Sequence, residues 1–360
     1  MKRVLTSLAA ALALAVPALA QVAQIGDTTY ADFNSFFTAF QAIAASETPT
    51  TVTLLDDLTG DLAVPGTVPV KEGQAIVFDL NGRTMETALQ REGRHYYAIV
   101  NYGTLTIKDS SAGQTGTIRA RGVQNLGNGK LTIEGGTIVS VDANGGACVW
   151  NEADVTIAGG TFTTEFVGTP SDSSGPGCLN NSGTALVTGG TFHNVNRRTY
   201  AIISNMGAIE ITPAKGAEVK VFGAHGGLGV DGGTAVVSGG SYSSSDSYGL
   251  YVSNDGLGAD PMQAAVTVND GTFDGKSYSV WVGSDYNNPV NSTIAIKGGT
   301  FLKALNRQDV SRPNAIQVSG GTFSTAVPEE FCTAGYASKQ NADGTYSVVG
   351  WYESGVDLDA

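Results

Sequence analysis

The sequence predicts an all-β chain folded as a right-handed parallel β-helix, a solenoid of stacked coils, and three observations carry that expectation. First, a unit of the form apolar-x-apolar-x-Gly-Gly-Thr-aromatic recurs. Residues 131–138 are one copy, 155–162 the next, and others begin at Ala185, Ala235, Val266, Ile294 and Ile316. Its Thr or Ser falls at Thr137, Thr161, Thr191, Ser241, Thr272, Thr300 and Thr322, with a degenerate copy at 209–211 filling the longest gap. The period is about 26 residues, in the range of solenoid repeats. Second, apolar and polar residues alternate within each copy, as in Leu131-Thr132-Ile133, the period of a strand with one buried face. Third, Asn101, Asn151, Asn181, Asn205 and Asp231 each stand four residues before the first strand residue of a copy. Such residues tolerate left-handed turns and satisfy neighbouring backbone groups. In stacked coils their side chains form a ladder.

The elements follow in order. Residues 1–20 read as a secretory signal peptide: Met1-Lys2-Arg3 is basic, an apolar run follows, and Ala18-Leu19-Ala20 is a small-x-small cleavage pattern. The run is short for a membrane span. The expectation is export to the periplasm, cell surface or medium, with Gln21 as the mature start and no membrane insertion. Residues 21–50 supply a strand at 25–30 and then a helix, because Phe33, Phe36, Phe37, Phe40 and Ile43 recur at helical spacing behind Asp32. That amphipathic helix suits a cap on the open edge of the first coil. Residues 51–325 are the coils: a strand, a Gly-Gly turn, a Thr-Phe segment and a variable third segment. Roughly a dozen coils at about 4.8 Å each are expected. The longer stretches 163–177, 255–265 and 284–293 read as loops. Residues 326–360 form a C-terminal β-hairpin cap and tail, the hairpin turning at Asn341-Ala342-Asp343-Gly344.

Lys and Arg number 20 against 33 Asp and Glu, a net charge of −13. That balance argues against nucleic acid, whose phosphates need basic patches, and against an anionic membrane surface. No cofactor or metal motif is evident. Cys148 and Cys178 each stand three residues before a ladder Asn. Equivalent positions in adjacent coils lie within the reach of a disulfide. A cross-coil bridge and two buried thiols both remain open.

The Gly-Gly-Thr-Phe repeats, the opening Ile25-Gly26-Asp27-Thr28-Thr29-Tyr30, the segment Asp79-Leu80-Asn81-Gly82-Arg83-Thr84 and the closing Gly335-Tyr336 with 341–346 resemble secreted or surface β-helix proteins of gut-type bacteria in the pectin-lyase-like superfamily. The resemblance implies the fold. For activity it implies a choice between polysaccharide lyases or glycoside hydrolases and adhesins. A hydrolase of this kind needs converging acids; the chain offers Asp56-Asp57 and the near-motif Gly223-Ala224-His225-Gly226. A lyase needs acids for calcium and a base; Asp231, Asp255, Asp270, Arg94, Arg197 and Arg198 are the material, in registers that do not coincide. His95, His193 and His225 are isolated from one another.

A binding surface is better supported. Tyr248-Gly249-Leu250-Tyr251-Val252 matches Tyr278-Ser279-Val280-Trp281-Val282 one repeat later. With Leu250 and Val280 facing inward, Tyr251 and Trp281 share the outer face, and Trp150 holds a similar place before Asn151. These three are the candidate ligand-binding residues, arranged as a flat platform for sugar rings. The expected role is therefore binding or structural, adhesin-like, with a glycan or a host or bacterial surface component as partner. Degradation of an acidic polysaccharide is the alternative.

Overall fold

The computed structural model describes residues 21–59, 67–87, 90–91, 94–95, 97–141, 146–165, 177–253, 263–283 and 292–354. The expected signal peptide and most of the three long loops lie outside these residues. The chain is a parallel β-solenoid of about nine turns, shorter than the dozen coils anticipated from length. A full coil runs along three faces rather than as two strands and an irregular segment; most coils hold three separate strands, and in two, at Gly233–Ser244 and Ala264–Asp274, the first two are joined. In one of the three-strand coils they are Lys130–Ile133, Thr137–Ser140 and Val149–Asn151. The next coil lays Asp154–Ile157, Thr161–Thr164 and Leu179–Asn181 directly on them in parallel register. The solenoid therefore has three faces, called first, second and third in that order, and a core between them.

Register explains the repeat. On the first face Ile107, Ile133, Ile157 and Val187 fall in one inward column, fully buried. On the second face the aromatic of the repeat forms a column of its own. Phe162 and Phe192 stack at 4.8 Å between centroids, and Tyr242, Phe273, Phe301 and Phe323 continue the stack at 4.8–5.1 Å with ring planes within 9°. Val221 interrupts it between Phe192 and Tyr242. Parallel pairing puts identical side chains one strand spacing apart, and that spacing suits offset-stacked rings.

The two glycines of the repeat have separate tasks. A Cβ on Gly298 would lie 2.2 Å from the carbonyl oxygen of Asn269 in the coil before, so the first glycine permits close stacking. Gly299 has φ +101°, a backbone that side chains rarely adopt, so the second turns the corner between first and second faces. At the earliest coils carboxylates do this work. Asp79 accepts from the N–H of Asn81 in its own turn and of Ser110 one coil on, at 3.0 Å each. Asp109 accepts from the N–H groups of Gly82, Ser111 and Gly116.

The N-terminal segment differs from a single strand. Ala23–Ile25 and Thr28–Tyr30 form an antiparallel hairpin around Gly26-Asp27, and Ala23–Ile25 also pairs antiparallel with Thr50–Leu54 of the first coil. The helix Phe33–Gln41 follows, with Asp32 accepting from the N–H of Ser35 at 2.9 Å as N-cap. It buries Phe33, Phe36 and Phe40, and the Gln74 side chain donates to Ile43 O at its end. At the other end Tyr336–Gln340 and Tyr346–Gly350 form an antiparallel hairpin whose second strand pairs with Thr322–Phe323. Among the described residues no helix is long and apolar enough to cross a membrane.

Candidate functional site

The third face carries the features that sequence reading singled out, so its register decides what they can do. Ten strands lie side by side on it, ending in Tyr200–Asn205, Gly226–Asp231, Tyr248–Ser253, Tyr278–Val282 and Leu305–Arg307. Inward go Ile202, Leu228, Leu250 and Val280, all buried. Outward between them go Ile203, Gly229, Tyr251 and Trp281, in that row.

Tyr251 and Trp281 are aligned as expected from the repeat, but two other residues complete the arrangement. Tyr251 stacks on Tyr200 at 5.4 Å and on Tyr248 at 5.9 Å, and Tyr248 stacks on Trp281 at 5.3 Å. The planes of these pairs lie within 18° of each other. Tyr278 leans against Trp281 at 5.0 Å with a 41° tilt. Near-parallel rings at such separations overlap in part, so Tyr200, Tyr251, Tyr248 and Trp281 are shingled rather than laid out as a flat floor. Tyr248, Tyr251, Tyr278 and Trp281 are half-buried, whereas Tyr200 is buried.

Tyr200 reaches the strip because two glycines clear its path. Its ring lies over Gly226 and Gly229, where a Cβ would approach ring atoms to 2.2 Å and 2.7 Å. Burial, then the neighbouring phenols of Tyr251 and Tyr248 and the charge of Asp231, push the Tyr200 hydroxyl well above its ordinary pKa, so it is neutral at physiological pH. The hydroxyl of Tyr251 extends toward Gly283, where a Cβ would come within 2.5 Å of it. Two residues further along these strands Asp231 accepts a short hydrogen bond from the Ser253 hydroxyl. A carboxylate and hydroxyls thus border the rings. At the strand entrance His225 meets Tyr200 edge-on at 5.1 Å. Burial lowers the His225 pKa against the opposing pull of Asp246, which itself pairs with Arg197 at 3.4 Å.

Trp150 stands on the same outward row but four strands from Tyr251 and two from Tyr200, beside Gln124 and Asn180, and donates its indole N–H to Glu152 at 2.8 Å. It does not join the strip.

The amide ladder occupies the end of the third-face strands. Asn101 donates to Asn125 at 2.8 Å, Asn125 to Asn151 at 2.8 Å, Asn151 to Asn181 at 2.7 Å, and Asn181 to the Ser204 hydroxyl at 3.2 Å. Asn125 was not among the residues expected there. Asn205 and Asp231 were, but they pair with each other one position further on, outside the ladder. From there Val230 and Val252 take the inward position. Cys148 and Cys178, a coil apart, stand as two buried thiols, directed at the carbonyls of Thr163 and Phe162.

The acidic candidates do not converge. Asp56 accepts from the Asp57 N–H, and Asp57 accepts from Thr84 N. Asp270 accepts from Gly271 N at the corner of the first and second faces, whereas Asp231 is on the third. Asp255 and the Arg94 side chain lie outside the described residues, and among the described residues no cluster of His, Cys, Asp and Glu is arranged to hold a metal. The repeats thus sit in a parallel β-solenoid, and compared with known proteins the chain matches no family model, no curated protein and no solved structure.

Proposed function

We propose that the chain is an exported bacterial binding solenoid, adhesin-like, whose third face engages an extended ligand along the strip formed by Tyr248, Tyr251, Tyr278 and Trp281, with the buried Tyr200 stacked against Tyr251. The observation that carries the reading is the run of ring contacts joining Tyr251, Tyr248 and Trp281 on adjacent coils, with the buried Tyr200 stacked on Tyr251 across an intervening coil that carries glycines. A sheet face needs no such row for stability, since its core is already filled from the inward side. Half-buried aromatics in a contiguous patch are the usual anchors of recognition surfaces. Cleavage has less support, because general acid-base work needs groups that converge, and Asp56, Asp57, Asp231 and Asp270 are spent on separate turns and faces.

The test is retention of the purified chain on a panel of immobilised polysaccharides and on bacterial and epithelial surfaces, beside Trp281→Ala and Tyr251→Ala. Binding that both variants lose supports the reading. Binding that survives both moves the site elsewhere, and new reducing ends or unsaturated products in solution would replace it with an enzyme.

A further inference from the structure

We infer that the accessible rings of the third face join two copies of this chain, with the rods antiparallel and related by a two-fold axis. The inference rests on the strip being a recognition surface and names its partner as a second copy.

The first observation is the extent of the patch. Tyr200 is buried and the strand Gly226–Asp231 carries no ring, so the half-buried Tyr248, Tyr251, Tyr278 and Trp281 lie on two adjacent strands. Register sets Tyr248 beside Tyr278 and Tyr251 beside Trp281. A two-fold axis running between these strands and parallel to them exchanges the two. It brings Tyr251 of one copy against Trp281 of the other, and Tyr248 against Tyr278. Every contact then occurs twice, as in any closed dimer, and aromatic side chains are the usual anchors of such interfaces.

The second observation is charge. Asp246 and Lys276 each stand two residues before a paired tyrosine, Tyr248 and Tyr278, and between them the Ser277 N–H donates to Ser247 O. They therefore hold equivalent places in adjacent coils, at the corner of the second and third faces, with opposite charge. Lys303, two residues before the Leu305 that pairs with Val280, adds a cation on the Lys276 side. Both lysines are exposed and form no ion pair among the described residues. Asp246 meets Arg197 of its own chain at 3.4 Å through Oδ2. Asp274 ends the second-face strand before that corner.

A neutral ligand would leave both signs of this pattern unanswered, and an anionic one would leave Asp246 opposed. A second copy answers both. The axis that matches the rings also brings Lys276 of each copy to Asp246 of the other. Complementarity of this kind selects a partner and fixes its register. The net charge of −13 on each copy opposes association at long range, an effect that salt screens.

The experiment is sedimentation equilibrium of the purified chain at about 0.15 M salt, beside Trp281→Ala, Asp246→Lys and Lys276→Glu, with retention on the surface panel measured in parallel. The expected result is a mass that rises from one copy to two with concentration. Each substitution alone should weaken the dimer about tenfold or more. An equimolar mixture of Asp246→Lys and Lys276→Glu chains should recover it, because every crossed contact again joins opposite charges; that recovery also shows both variants folded. A dimer indifferent to Trp281→Ala overturns the assignment to this face. A dimer lost in Trp281→Ala but not recovered in the mixture overturns the antiparallel register. A monomer at every concentration overturns the second copy as partner. If that monomer still binds the panel through Trp281, the strip stands as a recognition surface for something else; if it binds nothing, the proposed function falls as well.

Discussion

Asn181 ends the buried amide ladder by donating to the hydroxyl of Ser204, not to the neighbouring Asn205. Above that point each Asn holds its own turn and the next coil together. Asn151, for instance, donates to Ala153 O, Thr184 O and Asn181 and accepts from Asn125. Replacing Asn151 by Ala leaves several buried partners unsatisfied, at about 1–3 kcal/mol for each such group. Thermal or urea melts should therefore show a large loss for Asn151→Ala and Asn125→Ala, a smaller one for Ser204→Ala, and least for Asn205→Ala. Equal losses at Asn205 and Asn151 would refute the ladder's extent.

The second-face stack yields a graded series. Phe301 is fully buried between Phe273 and Phe323, so Phe301→Ala should cost about 3–5 kcal/mol and Phe301→Leu clearly less. Tyr242 also donates its buried hydroxyl to Gly239 O at 2.9 Å. Tyr242→Phe should cost about 1 kcal/mol, read as a modest fall in midpoint.

Gly226 offers a way to disturb the strip from beneath. A Cβ there would collide with the Tyr200 ring. Gly226→Ala should displace Tyr200, change the near-ultraviolet circular dichroism and weaken ligand retention, for about 1–3 kcal/mol of stability. Retention at full strength with a displaced Tyr200 would confine the site to Tyr248, Tyr251, Tyr278 and Trp281.

Asp109 gives the fold a pH dependence of known sign. Burial acts to raise its pKa, but hydrogen bonds from Ser111, Gly116 and Gly82 outweigh it, and the net position is below the ordinary 3.8. A carboxyl depressed in the folded state stabilises fully above its unfolded pKa, and that contribution is lost as pH falls through the folded value. The stability gap between the native chain and Asp109→Asn should be full at pH 7 and shrink below about pH 3.8. A gap independent of pH would refute the role of its charge.

Burial, with Cys148 beside it, pushes the Cys178 thiol well above its ordinary pKa, which keeps thiolate scarce. Iodoacetamide at pH 8 should leave Cys148 and Cys178 unlabelled in the native chain and label both after denaturation without reductant. A requirement for reductant would show a cross-coil disulfide instead.

The first two faces were readable because their code is local: alternation for the strand, Gly-Gly for the corner, an aromatic for the stack. The third face was readable only where spacing stayed regular. Asn125 escaped because two extra residues place it six before Leu131 rather than four. Asn205 was assigned by the same count, which measures distance along the chain, whereas the ladder obeys register between coils. Tyr251 and Trp281 followed from repeat alignment. Tyr200 did not, since its place depends on glycines 226 and 229 in the following coil; small residues opposite an aromatic, one coil on, were the available signal.

The direction of the bonds between coils has a mechanical consequence. Strand-to-strand hydrogen bonds and the Asn101-to-Ser204 ladder all run along the rod. Tension between the two ends therefore pulls straight along them, so they open in sequence as a zipper rather than together in shear. The half lacking amides gives way first, and it is the half that carries the aromatic rings. A rod of this build would open under load in its unreinforced half before the amide-bonded half yields.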